Sequence, residues 1–170
     1  MKLTDLFLQE LEKEGAATRR AVERVPDGRS DWKPHEKSMT LGRLANLVAS
    51  MPSWVTMVVE QDELDLAPPD GKKYEEPKLQ TSRELAESVD QHVAKARAAL
   101  EKTTDEHLMK KWAFKVGGKV VSEDPRYVVL RESVFNHLAH HRGQLTVYLR
   151  LNNASVPAIY GPSADEGSFT

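Results

Sequence analysis

One line of residues in the last strongly apolar segment constrains this chain most. Leu130, Val134, His137, His141, Gln144 and Tyr148 recur at steps of three and four. Such steps keep side chains on one face of an α-helix. A seam of this kind normally carries Leu, Ile and Val. Here its middle carries two imidazoles and an amide. Burying such groups without partners costs about 2–7 kcal/mol each against an apolar reference. They therefore have hydrogen-bond partners, bind an ion or face a pocket. Two histidines one turn apart point the same way, which suits a shared metal. A pair of buried histidines bonded to neighbouring helices satisfies the same spacing.

The rest of the chain reads as further helices. Leu3, Phe7, Leu11, Ala17, Ala21 and Val25 form the stripe of a first helix over residues 3–24, which Pro26-Asp27-Gly28 ends. A loop follows, and its Trp32 is expected to dock on the helices. Thr40 is an N-cap for helix two, with Leu41, Leu44, Val48 and Met51 inside. Pro52 is expected to kink this helix rather than end it, because Trp54, Val55, Val58 and Val59 continue the apolar pattern. Residues 61–80 are acidic and proline-rich and read as a long loop. Thr81-Ser82-Arg83-Glu84 is a capping box for helix three, running to Lys102. Residues 112–116 and 119–121 flank Gly117-Gly118 as a short hairpin. Asp124-Pro125 supplies an N-cap and a first-turn proline for helix four, which continues to Leu151. In the tail, Ile159-Tyr160 is the expected anchor. The fold class is all-α: an antiparallel four-helix bundle in one domain, 1–170, with a short β-hairpin between helices three and four.

Composition narrows the function classes. With 24 basic and 26 acidic residues the formal net charge is −2. No basic tract exists, so no nucleic-acid partner is expected. No apolar run approaches the roughly 18 residues of a membrane span, so no membrane role is expected. The N-terminus lacks the apolar core of a secretion signal, and cytoplasmic residence is the expectation. The chain has no cysteine, which removes disulfides, thiolate ligands and cysteine nucleophiles. No serine sits in a Gly-x-Ser-x-Gly context and no phosphate-cradling glycine loop exists.

The candidate site therefore centres on His137 and His141 as metal ligands. Gln144, one turn on, can orient a ligand or a water, and Tyr148 can offer a phenol to the same cavity. His140 lies about 100° from His137 around the helix and is the weakest of the three histidines. His92 and His107 read as solvated.

Several stretches carry a family resemblance: Trp32 to Ala45, Met51-Pro52-Ser53-Trp54, Asn136 to Leu145, and Pro157 to Glu166. The chain resembles the DinB/YfiT-like superfamily of metal-dependent bundle proteins over nearly its whole length. That resemblance implies a four-helix bundle, a homodimer and a nickel or zinc ion on three histidines, one from helix two and two from a His-x-x-x-His on helix four. It implies activities such as hydrolysis or thiol transfer on an unidentified small molecule, and a stress-response setting. His137 and His141 match the helix-four pair. The helix-two histidine falls at Leu47, which cannot ligate. Asn46 beside it points about 100° away, and an amide is a poor zinc or nickel ligand. His35 and His92 match no family position. A divalent metal is therefore expected to be held weakly or not at all, with Leu47, Gln144 and Tyr148 lining a binding pocket. The alternative is a non-catalytic, dimeric small-ligand-binding or stress-associated bundle that has lost its metal.

Overall fold

The structure, a computed structural model, describes residues 2–68, 71 and 78–167. The chain is mostly helical, with one small three-stranded sheet. Helix α1 spans Leu3–Val22 and buries Phe7, Leu11, Ala17, Ala21 and Val22. Its N-cap residue, Lys2, makes no side-chain cap. Instead the Asp105 carboxylate accepts from the backbone N–H groups of Leu3 at 2.9 Å and Thr4 at 3.0 Å, and from the Thr4 hydroxyl. Free N–H groups of a first turn need such acceptors, and here a residue a hundred positions away supplies them. Gly15 sits where α1 crosses the later helix α4, Ser82–Lys102; a Cβ there would lie 2.8 Å from Val93 Cγ2.

The second helical tract departs from expectation. It is two helices, α2 (Leu41–Ser50) and α3 (Ser53–Glu60), and not one kinked helix. Pro52 offers no N–H, and the next donors reach back only three residues: Trp54 N–H to Met51 O at 3.0 Å and Val55 N–H to Pro52 O at 3.3 Å. Met51 and Pro52 keep right-handed helical angles, so the two pieces run on from each other through a tightened turn.

The stretch expected as loop over 61–80 contains strand β1, Glu63–Asp65; residues 69–70 and 72–77 lie outside the described residues. Strand β1 pairs in parallel with β2 (Lys111–Val116), which pairs antiparallel with β3 (Lys119–Pro125). The sheet is thus larger than a hairpin, because a segment without strand alternation found a free edge. The turn itself is as expected: Gly117 and Gly118 have φ of 60° and 77°, which a two-residue turn of this hand requires. Asp65 accepts from both of their N–H groups, tying β1 to the hairpin tip.

Helix α4 opens on both halves of the Thr81–Glu84 capping box, and the short α5, Asp105–Leu108, follows it. After the sheet come α6 (Arg126–Val129), a π-helical segment (Leu130–Asn136) and α7 (His137–Leu151). Pro125, not Asp124, caps this tract, because β3 extends four residues further than expected and pairs Asp124 with Trp112. The wider π turns replace a regular α-helix directly before His137; such turns recur near functional sites.

Two apolar clusters fill the interior. One gathers Phe7, Leu11, Val55, Val58, Leu100, Trp112, Leu130 and Phe135. The other gathers Val22, Leu44, Val48, Met51, Leu85, Leu138, Leu145 and Leu149, with Trp32 packed against it as expected. Two arginines are buried among them, each 1% exposed. Arg126 donates to the carbonyls of Val58, Lys111 and Gln61 and pairs with Asp62. Arg142 donates to the Glu14 carbonyl, the Thr18 hydroxyl, the Glu14 carboxylate and the Tyr160 hydroxyl. The tail is therefore held by polar ties rather than by burial of Tyr160, which is 72% exposed. Among the described residues no helix is long and apolar enough to cross a membrane.

Candidate functional site

The first turns of α7 bring three residues of the polar seam together. His137 and His141 are half-buried, with ring centroids 4.6 Å apart and their Nε2 atoms 2.9 Å apart. His141 Nδ1 lies 2.8 Å from Gln144 Oε1, and Gln144 Nε2 lies 3.0 Å from His140 Nε2. A neutral His137 gives its other ring N–H to the Ser133 carbonyl and so accepts at Nε2 from His141 Nε2–H, while the Gln144 amide bridges His141 and His140.

His137 is held below the usual histidine range. Burial contributes most, followed by the imidazole of His141; the carbonyl of Ser133, which favours the protonated ring, and the imidazole of His140 act in opposite senses. The ring also packs against Trp54 of α3, centroid to centroid 5.7 Å.

The other residues singled out by sequence occupy different places. Leu47 is half-buried and packs against the cluster that contains Leu138 and Leu145 of α7. Asn46 is buried and fully used: its amide donates to the Gly42 and Leu79 carbonyls and accepts from Leu79 N–H, pinning the start of the α4 lead-in to α2. Tyr148 turns its hydroxyl to the Met39 carbonyl at 3.2 Å and its ring edge to Trp32. His35 is exposed in its loop, where Nδ1 accepts from Lys37 N–H. His92 and His107 are not solvated as expected. Both are half-buried and bonded to helix-end carbonyls, His92 to Ala49 at 3.1 Å and His107 to Val59 at 2.8 Å. A carbonyl at the end of a helix lacks an intrahelical donor, and these rings supply one.

A cavity of about 840 Å³ opens between α3, the sheet and the π segment. Trp54 and Met57 of α3, Trp112 and Phe114 of β2, and Glu132, Ser133 and His137 are among its lining. Pockets of this size and mainly apolar wall suit small organic molecules. His137 is the member of the histidine–glutamine array that reaches it; Leu47, Gln144 and Tyr148 are not in its wall. The aromatic wall carried no distinctive sequence signal, since Trp54 and Met57 at helical spacing look like core. The Trp112 indole N–H is a second feature that sequence does not mark: it is buried and has no acceptor among the described residues.

The metal implied by the resemblance can be tested against these residues. The two Nε2 atoms converge as a pair of ligands would, and Gln144 orients His141 from its far side in the manner of an outer-shell partner. Yet no group of three or more His, Cys, Asp or Glu is placed to share an ion among the described residues. Two imidazoles fall short of the three protein ligands of a catalytic zinc site. The donor set present does not fit a resident metal of that kind.

Comparison with known proteins agrees with this fold. The DinB family model matches residues 1–168. The chain is 26% identical over 163 residues to the uncharacterised protein YrdA of Bacillus subtilis strain 168, covering 95% of this chain and 90% of that one. Among solved structures it is similar to a DinB-like protein, YjoA, of Bacillus subtilis, with a TM-score of 0.68 at 20% identity over 92% of this chain and 98% of the other. A DinB-like protein of Bacillus cereus ATCC 10987 gives a TM-score of 0.66 at 23% identity, over 91% and 95% of the two chains. With its polar seam, its helical tracts and a family match from end to end, the chain belongs to the DinB family.

Proposed function

We propose that this DinB-family protein binds a small, mainly apolar molecule in the cavity beside α3 and acts on it through the His137–His141–Gln144 array. One observation carries the reading: His137 lines the cavity and is joined to His141 at 2.9 Å. The chemistry open to such an array is proton transfer. A histidine held neutral can take up a proton, and the hydrolase and thiol-transferase classes implied by the resemblance both need a proton taken from a water or a thiol. His141, itself fixed by Gln144, orients the His137 ring and, with burial, keeps it in the neutral form. No step of this scheme passes through a metal.

A second reading is a loosely held zinc or nickel ion on His137 and His141, favoured by the convergence of their Nε2 atoms. The non-catalytic alternative keeps the cavity and gives the array only a binding role. We also read the helical tracts α1, α2 with α3, α4 and α6 through α7 as the four arms of an antiparallel bundle. Cytoplasmic residence and a homodimer belong to this proposal; Val55, Val58 and Val59 of α3 are buried within their own chain and offer no surface to a second copy. Val147 and Leu151, exposed one turn apart on α7, are one of the exposed apolar pairs, with Val120 and Val121 of β3 another, on which such a surface can be built.

The test is binding of the neutral fluorophore N-phenyl-1-naphthylamine, read by its own emission and by Trp54 and Trp112. Saturable binding at one site, lost in Trp54→Ala and followed by a shift of the His137 ring resonances, supports the reading. Absence of saturable binding overturns it. Hydrolysis of p-nitrophenyl acetate by the wild type but not by His137→Gln separates the catalytic from the non-catalytic form.

A further inference from the structure

We infer that the cavity selects a cationic ligand, an amine whose apolar body lies among Trp54, Trp112 and Phe114 and whose ammonium group is drawn to Glu132 and Asp124. The inference rests on the proposal that this cavity binds a small molecule, and it names the class of molecule.

Two features of the wall point the same way. First, the described lining includes the carboxylates of Asp124 and Glu132 and no lysine or arginine. Neither carboxylate is ion-paired among the described residues: Arg131, beside Glu132, is taken by Glu10, and Lys111, near Asp124, is taken by Glu123. An anion entering the cavity would shed water and meet two negative groups with no cationic side chain in the described lining, whereas a cation would meet two acceptors. Second, the wall is aromatic. Indole and phenyl faces carry negative quadrupole potential and attract ammonium groups, the more so away from water. The carboxylates stand at the β3 and π-segment side and Trp54 on α3, so head and body of one molecule can be met at once.

The experiment uses three probes with one body and different heads: 1-naphthylmethylamine, 1-naphthalenemethanol and 1-naphthoate. Binding to the full chain is measured by calorimetry at neutral pH and moderate salt. The amine should bind about tenfold or more tighter than the carboxylate, with the alcohol between, a difference of one charge interaction. The double variant Glu132→Gln, Asp124→Asn should bring amine and carboxylate to similar affinity and leave the alcohol unchanged. Both residues are exposed, so the amide forms should fold, which near-ultraviolet dichroism checks. Carboxylate binding as tight as amine binding overturns the charge preference and leaves the cavity reading standing. An amine preference that survives in the double variant overturns the role given to Glu132 and Asp124. Failure of all three probes to bind overturns the binding proposal, and this inference with it.

Discussion

His137 and His141 face each other through their Nε2 atoms at 2.9 Å, and Gln144 holds the far nitrogen of His141. One proton lies between the rings in the neutral state, and a second must be accommodated beside it when the pair charges. Burial and the neighbouring imidazole oppose that second proton at His137. The folded pKa is therefore below the unfolded one, so the unfolded chain binds more protons in the interval between them. The contribution of His137 to stability is present above the ordinary histidine range and is lost as pH falls through the folded value. Melting temperature followed from about pH 8 to about pH 5 should fall, and should fall less in His137→Gln. An identical pH slope in the variant would show that another group carries the dependence.

Leu47→His tests the vacant ligand position. If α2 presents residue 47 toward the pair, three imidazoles surround one point, a working zinc geometry with a water as fourth ligand. The metal-free variant should be less stable than the wild type by about 2 kcal/mol or more, because a leucine contact is lost and a polar ring enters the interior. Zinc or nickel should then raise its melting temperature well beyond any rise in the wild type. Equal metal responses in the two proteins would place residue 47 away from the pair.

Arg126→Met is expected to destabilise the fold by about 3 kcal/mol or more, since three carbonyl groups lose a charged donor together. The acceptors belong to α3, the strand lead-in and β2, so the loss should loosen the sheet and the cavity as one unit. Arg126→Lys should recover only part of it, because an ammonium lacks the planar fork that reaches several acceptors. Urea denaturation measures both, and a variant within about 0.5 kcal/mol of wild type would exclude the clamp.

Gly15→Ala should cost about 1–3 kcal/mol despite alanine's better helix propensity. The added methyl would meet Val93 at 2.8 Å. The companion change Val93→Ala should recover much of the loss, a coupling that a double-mutant cycle reads directly. Independent, additive effects would mean that α1 and α4 do not approach as described.

What could be read in the chain itself is what neighbours along the chain decide. Thr81 and Glu84 cap a helix because their side chains reach backbone groups three residues away. Thr40 does the same at α2. Gly117 and Gly118 close a hairpin because only they adopt its positive φ without strain. The spacing of His137, His141 and Gln144 put the rings and the amide on one helical line, and their mutual hydrogen bonds span only three and four residues. Contacts between distant segments leave no such mark. The third strand formed because Glu63–Asp65 met the open edge of β2, some fifty residues away. Asp105 caps α1, and Arg126 and Arg142 bind carbonyls of other elements, although each reads locally as an ordinary surface charge. The cavity belongs to the same class: α3, β2, β3 and the π segment each contribute a few side chains to it, and only their packing leaves a space between them with His137 on its wall.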